Sequence, residues 1–126
     1  MPYSREQLPT GIVKTQIKGV MGHKQSLDSL NDLYSYVNDK KLYELVVHEQ
    51  GSAVDVGYEE AAVIVSRAKE LFSSLDAGAI AFVSDDDLIF GLCRQLQMQI
   101  NNKVQIAVFR NESTAVQWLA ELKQAN

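Results

Sequence analysis

Three short runs in this chain are almost wholly apolar: "LVV" at Leu45–Val47, "GAIAFV" at Gly78–Val83 and "VQIAVF" at Val104–Phe109. A strand wetted on one face alternates polar and apolar residues, so runs like these belong to strands covered on both faces. Between and after them the pattern switches to a helical period. Ala61, Ile64, Val65, Ala68, Leu71, Phe72 and Leu75 fall on one stripe, with Glu59, Arg67, Lys69, Glu70 and Ser73 on the other side. Buried strands that alternate with amphipathic helices pair in parallel through right-handed crossovers, and the helices cover the sheet. The chain is therefore expected to be an α/β protein.

The remaining segments fit that frame. Tyr3–Gln7 reads as a short edge strand closed by the turn-rich Leu8-Pro9-Thr10-Gly11. In "GIVKTQIKGV", Val13, Thr15, Ile17 and Gly19 share one parity while Lys14, Gln16 and Lys18 share the other, the period of a half-exposed strand. Together they read as a hairpin. Ser26 is the expected N-cap of a first helix whose face is Leu27, Leu30, Leu33, Tyr34 and Val37. A third helix is expected from Asp85 to about Asn101, and Asn111 caps a fourth with Ala115, Trp118, Leu119 and Leu122 inward. The order is β-β-α-β-α-β-α-β-α, and 126 residues suffice for a single domain, 1–126.

Composition narrows the function. The net charge is −4, with no strong basic cluster, which opposes binding to nucleic acid or an anionic membrane surface. No apolar run approaches the ~20 residues of a membrane span, and the N-terminus lacks a secretory pattern. A lone cysteine, Cys93, excludes an intramolecular disulfide and suits a reducing cytoplasm. It falls on the buried side of its helix, where packing is its expected role. No nucleophile elbow, P-loop or dinucleotide fingerprint is present. The chain is read as cytoplasmic and non-catalytic, with no cofactor.

Two late segments carry a family resemblance. They are "VSDDDLIFGLCRQL", with Asp87-Leu88, Phe90-Gly91 and Arg94, and "VQIAVFRNESTAVQWLAEL", with Phe109-Arg110, Ala115 and Trp118-Leu119. Over Ala79–Leu122 the chain resembles small bacterial STAS/SEC14-like proteins of the anti-sigma-factor-antagonist-like fold. The resemblance implies about five strands, four parallel plus an antiparallel N-terminal edge strand, with strands two and four flanking the centre and four helices. Relatives of that fold include phosphorylatable regulators of kinase-like partners and CRAL-TRIO lipid carriers. The regulators carry Asp-Ser-Ser/Thr-Gly after the third strand, whereas this chain reads "VVHEQGSAVDVGYEE". Ser52 is the nearest hydroxyl, and it is read as a turn serine in preference to a phosphoacceptor.

Parallel sheets bind ligands where connections leave the strand C-termini in opposite directions. In the implied strand order that place lies between Val20–His23 and Ser84–Asp87, with His48 and Glu49 on the same rim. The candidate crevice is thus His23, His48, Ser84, Asp85, Asp86 and Asp87, a set with the donors of a two-histidine-one-carboxylate metal site. The same aspartates also fit a capping box with Ser84 as N-cap, their charges favoured by the helix dipole. Capping accounts for the triplet without a ligand, so no metal is assigned.

The third helix presents a second apolar feature. Leu88, Ile89, Leu92, Cys93, Leu96 and Ile100 form the expected inward arc, while Phe90 and Met98 point away with Arg94 between them. Gly91, costly inside a helix, suggests close approach of another group. Phe90, Gly91, Arg94 and Met98 are the candidate interface. Two readings follow. The first is a regulatory module acting through protein contacts, self-association included; the second is a small-molecule binder, lipid-like or metal-dependent, using the crevice. A deep apolar pocket favours the second.

Overall fold

In the computed structural model, which describes residues 1–100 and 103–126, the apolar runs become the centre of one sheet. Along the chain the elements are β1 (Tyr3–Gln7), β2 (Val13–Ile17), β3 (Val20–Gly22) and α1 (His23–Leu33), then a 3-10 turn (Tyr34–Tyr36) and β4 (Lys41–His48). They continue with β5 (Ala53–Asp55), α2 (Tyr58–Phe72), β6 (Ala77–Val83), α3 (Asp87–Gln99), β7 (Val104–Phe109) and α4 (Glu112–Ala125). The five-stranded sheet has the order β1-β2-β4-β6-β7, with β1 antiparallel to β2 and all other pairs parallel. β4 holds the centre between β2 and β6, as expected.

Two short strands were not expected. The alternation of β2 runs on through Gly19 in the sequence, but Gly19 takes a φ of +90° and turns the chain out of the sheet. Val20–Gly22 then pairs in parallel with Ala53–Asp55.

The strand order has a consequence for ligand sites. Every crossover steps the same way across the sheet, and right-handed connections then place α1, α2 and α3 on one face. Among the described residues α4 alone covers the other. Among the described strands the order never reverses, so the expected crevice of diverging connections loses its basis. The core accordingly divides. Val13, Ile17, Leu42, Val46, Ile80 and Ile106 pack against Leu33, Ala68 and Phe72 on the three-helix face. Tyr43, Leu45, Ala79, Ala81 and Val83 pack against Ala115 and Leu119 on the other. At Gly78 a Cβ would collide with the Leu42 carbonyl, which is why the second residue of β6 is glycine.

Helix starts follow local chemistry. Asn111 caps α4, its Oδ1 accepting from Thr114 N at 2.9 Å. α1 begins at His23 with Gly22 as its N-cap, four residues before the expected cap, and Ser26 donates its hydroxyl to the Gly22 carbonyl (2.8 Å) instead of capping. The expected end of the third helix near Asn101 lies outside the described residues. Among the described residues no helix is long and apolar enough to cross a membrane.

Candidate functional site

The alternation of β4 sends Leu42, Glu44, Val46 and His48 toward the three helices and Tyr43 and Leu45 toward α4. Helix α2 covers only part of that surface. Ala68 and Phe72 anchor its C-terminal half, whereas Ala61, Ile64 and Val65 in the N-terminal half are only half-buried. Under this raised half lies a cavity of about 270 Å³. Its wall is mostly hydrocarbon, from Ile17, Val46, Ile80 and Phe82 on the sheet, Leu30 on α1, Ile64 and Val65 on α2, and Leu92 and Leu96 on α3. A dry apolar cavity of about 150 Å³ takes up benzene, so one of about 270 Å³ holds roughly ten non-hydrogen atoms.

A second hollow, of about 420 Å³, lies beside α4 between Leu8, Ile12, Val116 and Lys123. Only eight residues wall it, against twenty-seven around the first. Both hollows are about half-open to solvent, and they differ in the extent of their walls.

One end of the α2 cavity is polar. Arg5 reaches from β1 across Thr15 to Glu44 on β4, and both charged side chains are only 4% exposed. Its Nε donates to Thr15 Oγ1 (2.8 Å). Nη1 donates to the Ser29 carbonyl (2.9 Å) and Asp32 Oδ2 (3.0 Å), and Nη2 to Ser29 Oγ (2.7 Å) and Glu44 Oε2 (3.3 Å). The Thr15 hydroxyl in turn donates a hydrogen bond to Glu44 Oε2 at 2.6 Å. All five guanidinium donors are engaged. Burial pushes the Glu44 carboxyl above its ordinary pKa, against the pull of Arg5 and Thr15; desolvation outweighs the pairing.

At the C-terminal end of β4 stands His48, buried beside Phe82 with ring centroids 6.2 Å apart. Burial holds its pKa down to about 4, although a hydrogen bond with the Val83 backbone acts the other way. The ring is neutral at physiological pH, and its buried Nδ1 has no hydrogen-bond partner among the described residues. Cys93 lines the same wall, its thiol pushed up to about 12 by burial, so it packs as a small hydrophobe.

The residues singled out by sequence scatter around this site. Of the six crevice candidates, His48 alone lines the cavity. His23 opens α1, with its Nδ1 buried and unpartnered. Ser84 is buried but is not the cap: its Oγ accepts from Asp86 N (3.1 Å). The N-cap is Asp86, whose Oδ1 accepts from Leu88 N (2.9 Å) and Ile89 N (3.1 Å). Arg110 holds the rest of the triplet through Asp87 Oδ1 (2.9 Å) and the Asp85 carbonyl (3.3 Å). Among the described residues no group of three or more His, Cys, Asp or Glu is placed to hold a metal. Ser52 sits just before β5 with its hydroxyl buried and its N–H donating to the Glu49 carbonyl (3.0 Å), a turn serine rather than an accessible phosphoacceptor.

On α3, Ile89, Cys93 and Ile100 are inward, but Leu88 in the first turn is 71% exposed, contrary to its place in the expected arc. Met98 is 81% exposed, and Arg94 is exposed too. Gly91 has open space where a Cβ would stand, so no close approach explains it. Phe90 is half-buried beneath the Arg110 guanidinium, 3.9 Å from its ring centroid.

Sequence reasoning missed Arg5, Thr15 and Glu44. Two signals were available: a glutamate inside the apolar "LYELVV", and a threonine on the buried parity of β2. No family model, no curated protein and no solved structure matches the chain. The α/β architecture rests on the coordinates alone.

Proposed function

We propose that this protein is a non-catalytic binding module that encloses a small, mostly apolar molecule between its sheet and α2. The observation that carries this reading is the cavity of about 270 Å³ with hydrocarbon walls and a polar end. Close-packed interiors leave few voids larger than a water molecule, and ligand pockets of this kind are mainly apolar with a few placed polar groups. The STAS/SEC14-like resemblance, whose relatives include lipid carriers, leans the same way. Toluene is the direct probe. In an NMR titration it is expected to shift amides of β4, α2 and α3, and Ala61→Leu, which fills the cavity, is expected to remove those shifts. Shifts confined to the surface of α4, or none at all, would refute the reading.

A second reading, self-association through α3, is supported by the exposed Leu88 and Met98. Phe90 contributes less to it than the sequence suggested, because Arg110 already covers that ring. Light scattering tests it: replacing both exposed residues by serine lowers the mass only if the wild type self-associates through this helix.

A further inference from the structure

Resting on the cavity reading, the place of the cavity's mouth and of its unspent polar groups sets how a ligand lies inside. On one flank α2 is tied to α1: Arg67 Nε donates to Asn31 Oδ1, and the Tyr34 hydroxyl meets Ser74 Oγ just past the helix, both at 3.0 Å. Among the described residues no hydrogen bond or ion pair ties α2 to α3 on the other flank. Of the residues that line the cavity, only Leu92, Gln95 and Gln99 are exposed, and all three stand on α3. The mouth therefore lies between α2 and α3. From there the wall continues beneath α2 along Ile106 on β7, Ile80 on β6, Val46 on β4 and Thr15 on β2. Three strand spacings separate the first of these from the last, about 14 Å. A round void of about 270 Å³ would be only about 8 Å across, so the space is thin and drawn out.

Its two ends differ in what they offer a polar group. At the inner end all five Arg5 donors are engaged, and Thr15 and Glu44 are bonded to Arg5 and to each other. Among the described residues Arg5 and Glu44 are the only charged side chains of the wall, and they are paired, so an ion brought inside gains no counter-charge. At the mouth, Gln95 and Gln99 stand one turn apart on α3, and neither side chain has a hydrogen bond among the described residues. Each amide can both donate and accept.

We propose that the ligand is an uncharged, chain-like amphiphile that enters tail-first between α2 and α3, its head, an alcohol or amide, held by Gln95 and Gln99. Lying the other way round, the head would give up its water at the inner end without a partner.

Octan-1-ol is the probe. In isotope-filtered NMR of the full chain, its terminal methyl is expected to give NOEs to Val46 and Ile80, and its carbinol protons to the Gln95 and Gln99 side-chain amides. Gln95→Leu combined with Gln99→Leu, on the exposed side of a helix, should leave the fold intact. It is expected to weaken hexan-1-ol roughly tenfold relative to 1-chlorohexane, as two hydrogen bonds at a wet rim allow. Octanoate and octylammonium are expected to bind more weakly than the alcohol, and the round cage of adamantan-1-ol not at all. NOEs in the reverse sense, an unchanged alcohol-to-chloride ratio in the double variant, or adamantan-1-ol binding as tightly as octan-1-ol would overturn the proposal. So would tightest binding by either ion; for octanoate it would bring in Lys69, one turn beyond Val65. If neither toluene nor octan-1-ol binds, the cavity reading falls and takes this one with it. If toluene binds and octan-1-ol does not, only the chain-like ligand falls.

Discussion

On the α4 side of the sheet, Ala79 and Ala81 lie flat and Ala115 and Leu119 press directly onto them, all four with no exposure to solvent. On the other side, strands of the same sheet carry Thr15, Glu44 and His48, and three helices span them without filling the space beneath α2. The contrast teaches how one sheet serves two purposes. Small residues let a single helix come close and lock the fold. Larger and polar ones hold a helix off and leave room inside.

The sharpest way to break this comparison is at Arg5. Arg5→Ala leaves Glu44 buried and unpaired on the open face and should cost about 3–5 kcal/mol in urea unfolding. A loss below ~1 kcal/mol would show that water reaches Glu44 freely. Next comes the packed face. Leu119→Ala should cost about 2–5 kcal/mol, and the same truncation at Val65 is expected to cost less, since that side chain already borders empty space. Equal losses would mean that the two faces are packed alike.

Acidification separates the faces as well. Because the His48 pKa falls to about 4 on folding, the unfolded chain binds more protons between that value and the ordinary 6.5. The stability from a neutral His48 is therefore complete above pH 6.5 and drains away as pH falls through about 4. At pH 5 wild type should have lost about 2 kcal/mol relative to pH 7.5 that His48→Leu does not lose. Glu44, shifted up by burial, gains stability in the same direction of pH. The comparison between these two proteins removes its contribution. Thermal melts at both pH values check it, and a parallel decline in the two proteins would remove His48 from the open face.

Smaller effects follow from added volume. Ala81→Leu should cost about 1–3 kcal/mol by overpacking, whereas Ala61→Leu should be neutral or stabilising. The reverse order would contradict the proposed division.

Much of the architecture was legible because it depends on periodicity. The runs at Leu45, Ala79 and Val104 could only be covered strands, and the stripes of α2 and α4 fixed which sides they bury. Asn111 was readable as a cap because an asparagine before a helical pattern satisfies a free N–H locally. The start of α3 was misread by two residues because Ser84 and Asp86 both have capping oxygens, and which one lies in reach depends on how β6 ends. The site was harder. Arg5 and Glu44 are 39 residues apart, and what joins them is the lateral pairing of β1, β2 and β4, which no local pattern encodes. The absence of a switch point was equally hidden, since strand order is a property of the whole sheet.

That strand order also bears on how the chain reaches its native state. Each parallel strand docks beside the one made just before it, so as synthesis proceeds the sheet grows sideways, one strand at a time. Each of these pairings still joins strands separated by a whole helix, a long-range contact that forms slowly, yet every partner is the neighbouring parallel strand of the sheet in chain order. The exception is α4, which arrives last and must cover the alanine-floored surface of β4 and β6. A nascent chain released before Asn111 therefore carries a flat, greasy, uncovered plane, and its fate is aggregation rather than a partly working protein.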